Sequence, residues 1–509
     1  MFSRMVGFLT GLSPPLRAPR RFSLVGVEWS GPSTARIELR AQSADRRWSR
    51  WAGASLRGNA GGTLADRSRV LGEPIWTGPA VGVQLRASNP VRGVRLHFVD
   101  GGTRGDAAGA SPLPRATPTL DAGPGQPPVI ARAAWAQGSA HPAVAASYGT
   151  VRLAFVHHTE TPNGYGSADV PSIMRSIFDF HRYVRGYDDI AYNFMIDAFG
   201  RIWEARAGGI DLPVIGAHAG GYNAVSTGIA VIGSFKELLP SAAAIDTLER
   251  FLAWKLSLHG LAMRGRVTVE VNPASAFYTP FPPGARVSLP RIAGHRDGGL
   301  TDCPGDAFYA RLPAIRLRAS KLARRVARIT LVEPRTPGVA GTMVLSGRFS
   351  TLSGQPMRGA PIELQQVDSG GESPVDTVLT GADGRWSLPV ALSQSAVVRA
   401  LHRPPPATAS DLVVLTVAPR ITLTVQSSAP LRVAGEITPG KRTVTVDAYR
   451  LQGSHRRLVA SKQVTTQSGR FAATLDVRRP GEYLVIANTK ADARNAAGSS
   501  PGVRVRRAT

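Results

Sequence analysis

The sequence predicts a multidomain chain. A central α/β domain, a mixed sheet flanked by helices, follows an N-terminal β-sandwich and precedes two C-terminal immunoglobulin-like β-sandwich domains. Three observations predict this. At 509 residues the chain is too long for one hydrophobic core. Residues 129–327 mix apolar runs with helical periodicity, whereas both flanks alternate with the period of two of half-buried strands. Stretches rich in Pro and Gly, 102–128 and 328–340, read as linkers between these textures.

Taken in order, residues 1–21 read as an N-terminal segment. The apolar run from Met1 to Leu12 is at the short limit of a secretory signal, and no clear small-residue cleavage site follows it. In residues 22–101, the stretches 24–29, 35–40 and 81–86 alternate as strands, and Trp48, Trp51 and Trp76 supply aromatic bulk for a core. Within 129–327, residues 153–157 form an apolar strand ending in histidine. A helix follows over 169–184, with Val170, Ile173, Met174, Ile177 and Phe178 at helical spacing. Ser167 or Asp169 would cap it, and Gly186 lies just past its end. Residues 191–196, 201–204 and 228–233 read as further strands. Ser241 caps a helix reaching His259, and a last helical stretch spans roughly 308–327, with Pro313 kinking it or marking a late start. The tail divides into 341–418 and 419–509. Each half carries a turn with Gly, then Arg, then an aromatic residue: Gly384-Arg385-Trp386 and Gly469-Arg470-Phe471. That faint repeat suggests tandem sandwiches.

The charge balance is extreme: 61 Lys and Arg against 35 Asp and Glu leave +26, with a pI of about 11.3. This favours anionic surroundings, namely nucleic acid, an anionic envelope polymer or lipid headgroups. No helix-turn-helix, zinc-finger or RNA-binding signature is present and the arginines are dispersed, so no specific nucleic-acid partner is expected. No run of about 20 apolar residues marks a transmembrane helix.

The chemistry concentrates in residues 295–304. Cys303 is the single cysteine of the chain, which excludes an internal disulfide. His295 lies eight positions before it across the pair Gly298-Gly299, so one loop can turn both donors onto one ion. Imidazole nitrogen and thiolate sulfur are zinc donors. A third donor must come from elsewhere, and the pair His157-His158 at the strand end is the best candidate.

Five segments then occur in one order: Phe155-Val156-His157-His158-Thr159; Asp189-Ile190-Ala191-Tyr192-Asn193-Phe194; Gly200-Arg201-Ile202-Trp203-Glu204-Ala205-Arg206; Gly216-Ala217-His218-Ala219-Gly220-Gly221-Tyr222-Asn223; and Gly294-His295-Arg296-Asp297 leading to Cys303-Pro304. Together they resemble the type-2 N-acetylmuramoyl-L-alanine amidase family, which includes the peptidoglycan recognition proteins. The likeness covers about residues 129–320, and the flanking β domains resemble accessory modules of bacterial cell-wall amidases only faintly.

The resemblance implies one zinc ion per chain on His157, His295 and Cys303. Two neutral imidazoles and one thiolate leave an open fourth position, the catalytic pattern. His158, on the opposite strand face, then either supports the ligands from behind or is structural. The resemblance also implies a catalytic Tyr192, a Thr301 that contacts the scissile carbonyl, and substrate contacts from His218 and Asn223. Arg206 could hold a peptide carboxylate or serve a structural ion pair. The expected function is zinc-dependent hydrolysis of the lactyl–L-alanine amide of peptidoglycan. The alternative is a recognition protein that binds peptidoglycan without cutting. Loss of the cysteine usually marks that state in the family, and Cys303 is present. The expected partners are peptidoglycan and, from the charge, anionic wall polymers. The expected location is extracytoplasmic, secreted or wall-associated, with the β domains holding the enzyme in the envelope.

Overall fold

A computed structural model describes residues 1–31, 35–54, 69–101, 127–323, 326–334, 338–368, 371–404 and 407–508. Most of the expected linker 102–128 therefore lies outside the described residues. The chain divides into two compact units. One holds Met1–Ala327, and the other holds Arg328–His402 with Ala409–Thr509.

In the first unit, residues 153–158 are apolar up to their last two positions, and all six are buried. Strands that read as continuous apolar runs belong in the middle of a sheet covered on both faces. Leu153–His158 accordingly lies between Ile292–Gly294 and Ser226–Val231, parallel to both. The sheet continues through Phe194–Ile196 and Ile202–Glu204 to Val129–Ile130. Its one antiparallel pair, Phe194–Ile196 with Ile202–Glu204, makes it mixed. The strand expected at 191–196 shortens to Phe194–Ile196. Helix Ala242–Leu258 begins where the Ser241 hydroxyl accepts the Ala244 amide at 3.1 Å. It packs on helix Asp306–Leu322, which starts ahead of Pro313 and keeps that proline in its interior.

The N-terminal β domain differs from expectation at its start. Phe2–Leu12 is a strand that pairs with Ile75–Val99, setting Phe2 opposite Phe98, and Leu16–Ser30 is the next strand. Residues 1–21 are thus part of the domain and not a segment outside it. Among the described residues its six strands are hydrogen-bonded into one connected sheet that folds around a core of Phe22, Val27, Trp29, Leu85, Leu96 and Phe98. Leu16–Ser30 pairs with both halves of Ile75–Val99, so that Val25 faces Ile75 on one side and Phe98 on the other. Trp48 and Trp51 stay partly exposed, with the Arg40 guanidinium over both rings.

The β domain also shares a core with the α/β domain. Leu24, Leu71, Trp76 and Val99 pack with Val170, Ile173, Ile177, Phe180 and Trp203 in one buried cluster. The seam runs along helix Val170–Tyr183. Ser23 Oγ and Ser176 Oγ share a hydrogen bond of 2.9 Å across it. At Gly26 the backbone approaches so closely that a Cβ would fall 2.2 Å from the Phe180 ring. The domain of residues 22–101 is therefore built into the unit and not appended to it.

The expected linker 328–340 is also corrected at its start, because Ala327–Leu331 is a strand in a sheet with Gly341–Thr351 and Arg385–Leu392. The second unit contains that three-stranded sheet and a five-stranded one built on Pro361–Asp368 and Ala396–His402. It then repeats the arrangement, with Leu431–Thr438 central to three strands and Thr443–Gln452 and Gly481–Thr489 among five. In this second pair, Val433, Phe471, Val446 and Val485 from the two sheets share one core. Gly384 and Gly469 take the left-handed backbone at φ 75° and 78°, and the aromatic residues two positions on, Trp386 and Phe471, are both buried.

The seam makes a testable statement. Gly26→Ala forces a methyl into the Phe180 ring, and overpacking of this kind costs about 1–3 kcal/mol. The expected outcome is a lower thermal midpoint for the full chain, with Phe180→Leu in the same background restoring part of the loss.

Candidate metal centre

The strand Leu153–His158 places His157 and His158 on opposite faces, since side chains alternate along a strand. Ile292–Gly294 runs parallel beside it, with Gly294 opposite Val156, and the chain turns at once into His295–Asp297. The third donor of the cluster arrives through the loop 298–303. The Asp297 carboxylate accepts the Gly294 amide at 2.8 Å and the Tyr309 hydroxyl at 2.6 Å. The Arg296 amide donates to the Cys303 carbonyl at 2.9 Å, and Arg296 pairs with Asp306 at 2.6 Å. Gly298 is needed for room rather than for its dihedral angles, because a Cβ there would fall 2.9 Å from the Tyr222 ring.

The result is a buried cluster of His157, His295 and Cys303, one ligand atom from each lying within 4.8 Å of the others. His157 Nδ1 is 3.7 Å from Cys303 Sγ. A tetrahedral zinc ion with bonds of about 2.05 Å to nitrogen and 2.3 Å to sulfur separates those atoms by about 3.6 Å. The donor set and this spacing both fit zinc. The backbone amide of His158 donates to Cys303 Sγ at 3.4 Å, an interaction that favours the thiolate.

The remaining sequence-singled residues divide. Tyr192, only 4% exposed, lines a cleft beside the cluster, its ring centroid 5.3 Å from that of His157. His218 lines the same cleft, but its Nδ1 lies 3.1 Å from His157 Nε2. The contact is to the ring nitrogen of His157 other than the one nearest Cys303, the place where outer-shell groups meet metal-bound histidines. Its imidazole sits over Gly228, where a Cβ would come within 2.4 Å of the ring. Asn223 borders the cleft, and its Oδ1 accepts the His218 and Ala219 amides at 2.9 Å each, which fixes the loop that carries His218. Thr301 accepts the Cys303 amide at 3.0 Å and so caps the turn. Arg206 is not brought to the cleft. It lines a separate small pocket with Glu204 and donates to the Ile190 carbonyl at 3.1 Å, and burial lowers the pKa of its guanidinium. Asp189 pairs with Arg132 at 2.8 Å instead.

Sequence reasoning did not single out the network behind the cluster. His158 Nε2 lies 3.1 Å from Glu160, which also approaches Lys236 at 3.4 Å and accepts from Ser234 at 2.8 Å. Glu160 adopts a left-handed backbone at φ 54°. The nearest signal in the sequence was a carboxylate two positions after the histidine pair. Glu73, His181, Arg185 and Tyr278 also line the cleft, and none stood out in the sequence.

Residues 147–306 match the family model described as N-acetylmuramoyl-L-alanine amidase. Peptidoglycan-recognition protein 1 of Holotrichia diomphalia is 33% identical over 183 residues, which cover 36% of this chain and 78% of that protein. The chain belongs to the type-2 amidase and peptidoglycan-recognition protein family. Within the family, Peptidoglycan-recognition protein SA of Drosophila melanogaster is 37% identical over 103 residues, covering 20% of this chain and 49% of that protein. The N-acetylmuramoyl-L-alanine amidase of Mus musculus is 29% identical over 157 residues, 30% of this chain and 24% of that one. The chain thus spans about half the length of the Drosophila relative and about a quarter of the mouse one. Residues 13–121 match a second model, described as Rv3811 N-terminal galactose-binding domain-like.

The position of His218 yields a prediction. Loss of a group that orients a metal-binding histidine typically costs 10- to 100-fold in metal affinity. His218→Ala should therefore weaken zinc binding by about that factor while the three donors remain, as read by competition with a chromophoric chelator.

Proposed function

We propose that this protein is a zinc-dependent N-acetylmuramoyl-L-alanine amidase, which hydrolyses the amide between the lactyl group of N-acetylmuramic acid and L-alanine in peptidoglycan. One observation carries the reading: two imidazoles and a cysteine sulfur converge in a buried cluster at the wall of a cleft that also holds Tyr192. Family membership supports the same chemistry.

His157, His295 and Cys303 would hold the ion. Zinc, when bound, supplies Lewis acidity that polarises a carbonyl and acidifies water. The protein's own residues do the rest. His218 would fix the His157 ring, and the His158 amide donates to Cys303 Sγ. Tyr192 offers its hydroxyl to the charge that develops on the carbonyl oxygen, the kind of preorganised donor that lowers such barriers. Thr301 contributes through the Cys303 turn and, once substrate is bound, as a neutral donor. The reaction adds water across the amide, leaving a lactyl carboxylate on the glycan and a free amine on L-alanine.

Peptidoglycan is the proposed partner, and anionic wall polymers are a second one suited to the +26 charge. The setting is extracytoplasmic. Among the described residues no helix is long and apolar enough to cross a membrane. The two C-terminal β domains, read as immunoglobulin-like, would retain the enzyme on the wall.

The test is mass spectrometry of purified muropeptides after incubation with the full chain. New stem peptides with a free N-terminal alanine should appear, vanish with chelator and return with zinc. Muropeptides that bind but stay intact would support the recognition reading instead. A second prediction separates catalysis from packing: Tyr192→Phe should keep its zinc, while turnover falls by roughly 10- to 1,000-fold. Unchanged turnover would return Tyr192 to a packing role.

A further inference from the structure

The surplus of positive charge is uneven along the chain. Residues 419–509 carry 16 Lys and Arg against 5 Asp and Glu, whereas residues 341–418 carry 5 against 6. The last stretch thus holds a surplus of 11 out of the chain's +26. Some of it lies on outer strands of the five-stranded sheet, with Arg456 on His455–Thr465 and Arg504 on Val503–Arg507. Charge on outer strands also blunts sheet edges, so by itself it identifies no site.

A concave seam in the second unit does. Ser393 and Gln394 meet Lys441, Arg442, Asp492 and Arg494 around a pocket of about 410 Å³. Hydrogen bonds fix its wall. Asn495, only 3% exposed, donates through Nδ2 to the Ser393 carbonyl at 2.9 Å and the Val417 carbonyl at 3.2 Å. The Ser395 amide donates to the Arg494 carbonyl at 2.8 Å. The charge of Asp492 is already matched. Its carboxylate accepts from Lys441 Nζ and, at 2.9 Å each, from the Arg494 and Asn495 amides, and these contacts lower its pKa to about 2. Arg442 and Arg494 are exposed, and among the described residues neither forms an ion pair. Two guanidiniums on separate loops of one concavity repel each other until an anion joins them.

We propose that this pocket binds a phosphate group and fastens residues 419–509 to a phosphodiester polymer of the envelope. The geometry of the donors decides the class. A guanidinium is a planar fork that meets phosphate oxygens in pairs. A tetrahedral phosphate offers oxygens in more than one plane, so forks from two loops reach it together, whereas a planar carboxylate suits one fork. The described lining has no aromatic side chain on which a nucleic-acid base could stack and no large apolar one to enter a lipid layer. A polymer also repeats its phosphates. The arginines of the outer strands can then hold further groups while the pocket holds one, and linked contacts reinforce one another. This inference names the anionic partner of the function proposed above and rests on the envelope setting of that reading.

The test titrates the full chain with a soluble glycerol-phosphate oligomer and with a polyglutamate of matched charge, and reads Kd by calorimetry at one ionic strength. The oligomer should bind about tenfold tighter than the polyglutamate. Arg442→Gln with Arg494→Gln should weaken oligomer binding about tenfold, the scale of a lost hydrogen bond to a charged group. Arg442→Lys with Arg494→Lys keeps the charge, loses the forks and should weaken it about threefold. A control with the same loss of charge, Arg456→Gln with Arg457→Gln, should weaken it by less than about threefold, because scattered surface charges contribute little. All four arginines are exposed, so thermal midpoints should not move. Equal losses in the pocket and control glutamine variants would overturn the site. Equal affinity for polyglutamate and oligomer would overturn the phosphate class. Pocket-dependent binding to phosphatidylglycerol vesicles, with none to the oligomer, would overturn the polymer in favour of a lipid surface. Muropeptide cleavage is read separately: a chain that binds the oligomer and cleaves no muropeptide would overturn the amidase reading and leave this one standing.

Discussion

The structure depends on one constraint: three parallel strands must keep their register so that the donors reached from two of them meet at one point. Leu153–His158 supplies His157, and Ile292–Gly294, paired beside it, leads directly into His295. Ser226–Val231 on the other side sets Ala230 opposite His157 and brings the small Gly228 beneath the His218 ring. A slip of one residue would turn every side chain of the central strand to the other face and exchange His157 for His158. The continuous burial of that strand resists such a slip, because no polar face exists for the apolar residues to trade with. Burial of the donors follows from the same arrangement, and a low-dielectric surrounding strengthens every charge interaction made there.

The second dependence is between domains. A cleft in a small α/β domain needs walls, and here one wall comes from the preceding β domain. The shared cluster of Leu24, Trp76, Ile173 and Phe180 welds the two into one body, so that Glu73 reaches the cleft as part of a packed surface. Groups held by packing lose little entropy when they meet a ligand, which is what preorganisation means for affinity.

Part of this was legible in the sequence. Two donors across a Gly-Gly turn mark a loop that can close on an ion, and His295 with Cys303 stood out for that reason. His157 could not be separated from His158 by local pattern, since both end the same strand; only the ordered motifs of the family distinguished them. The alternating and helical periods located most elements, because burial on one face leaves a periodic trace. Three things left no trace. Arg206 follows a motif strand, yet its placement depends on which way the chain turns after Glu204. Glu73 lies 112 residues before Arg185, and no local rule joins them. The first 21 residues read as a segment at the short limit of a secretory signal, whereas they form strands, the first bulging along its partner with Gly7 and Gly11 at positive φ. The contact of His218 with His157 was hidden for another reason: a histidine that meets another histidine and one that touches substrate have the same sequence signature.

The central claim is that His157, His295 and Cys303 hold one zinc ion with a position left open. X-ray absorption at the zinc edge of the purified full chain tests it most directly. The account predicts one sulfur at about 2.3 Å and two imidazole nitrogens at about 2.0–2.1 Å, with one further light atom completing four-coordination. A spectrum with no sulfur shell would contradict it, as would one whose sulfur shell survives unchanged in Cys303→Ser.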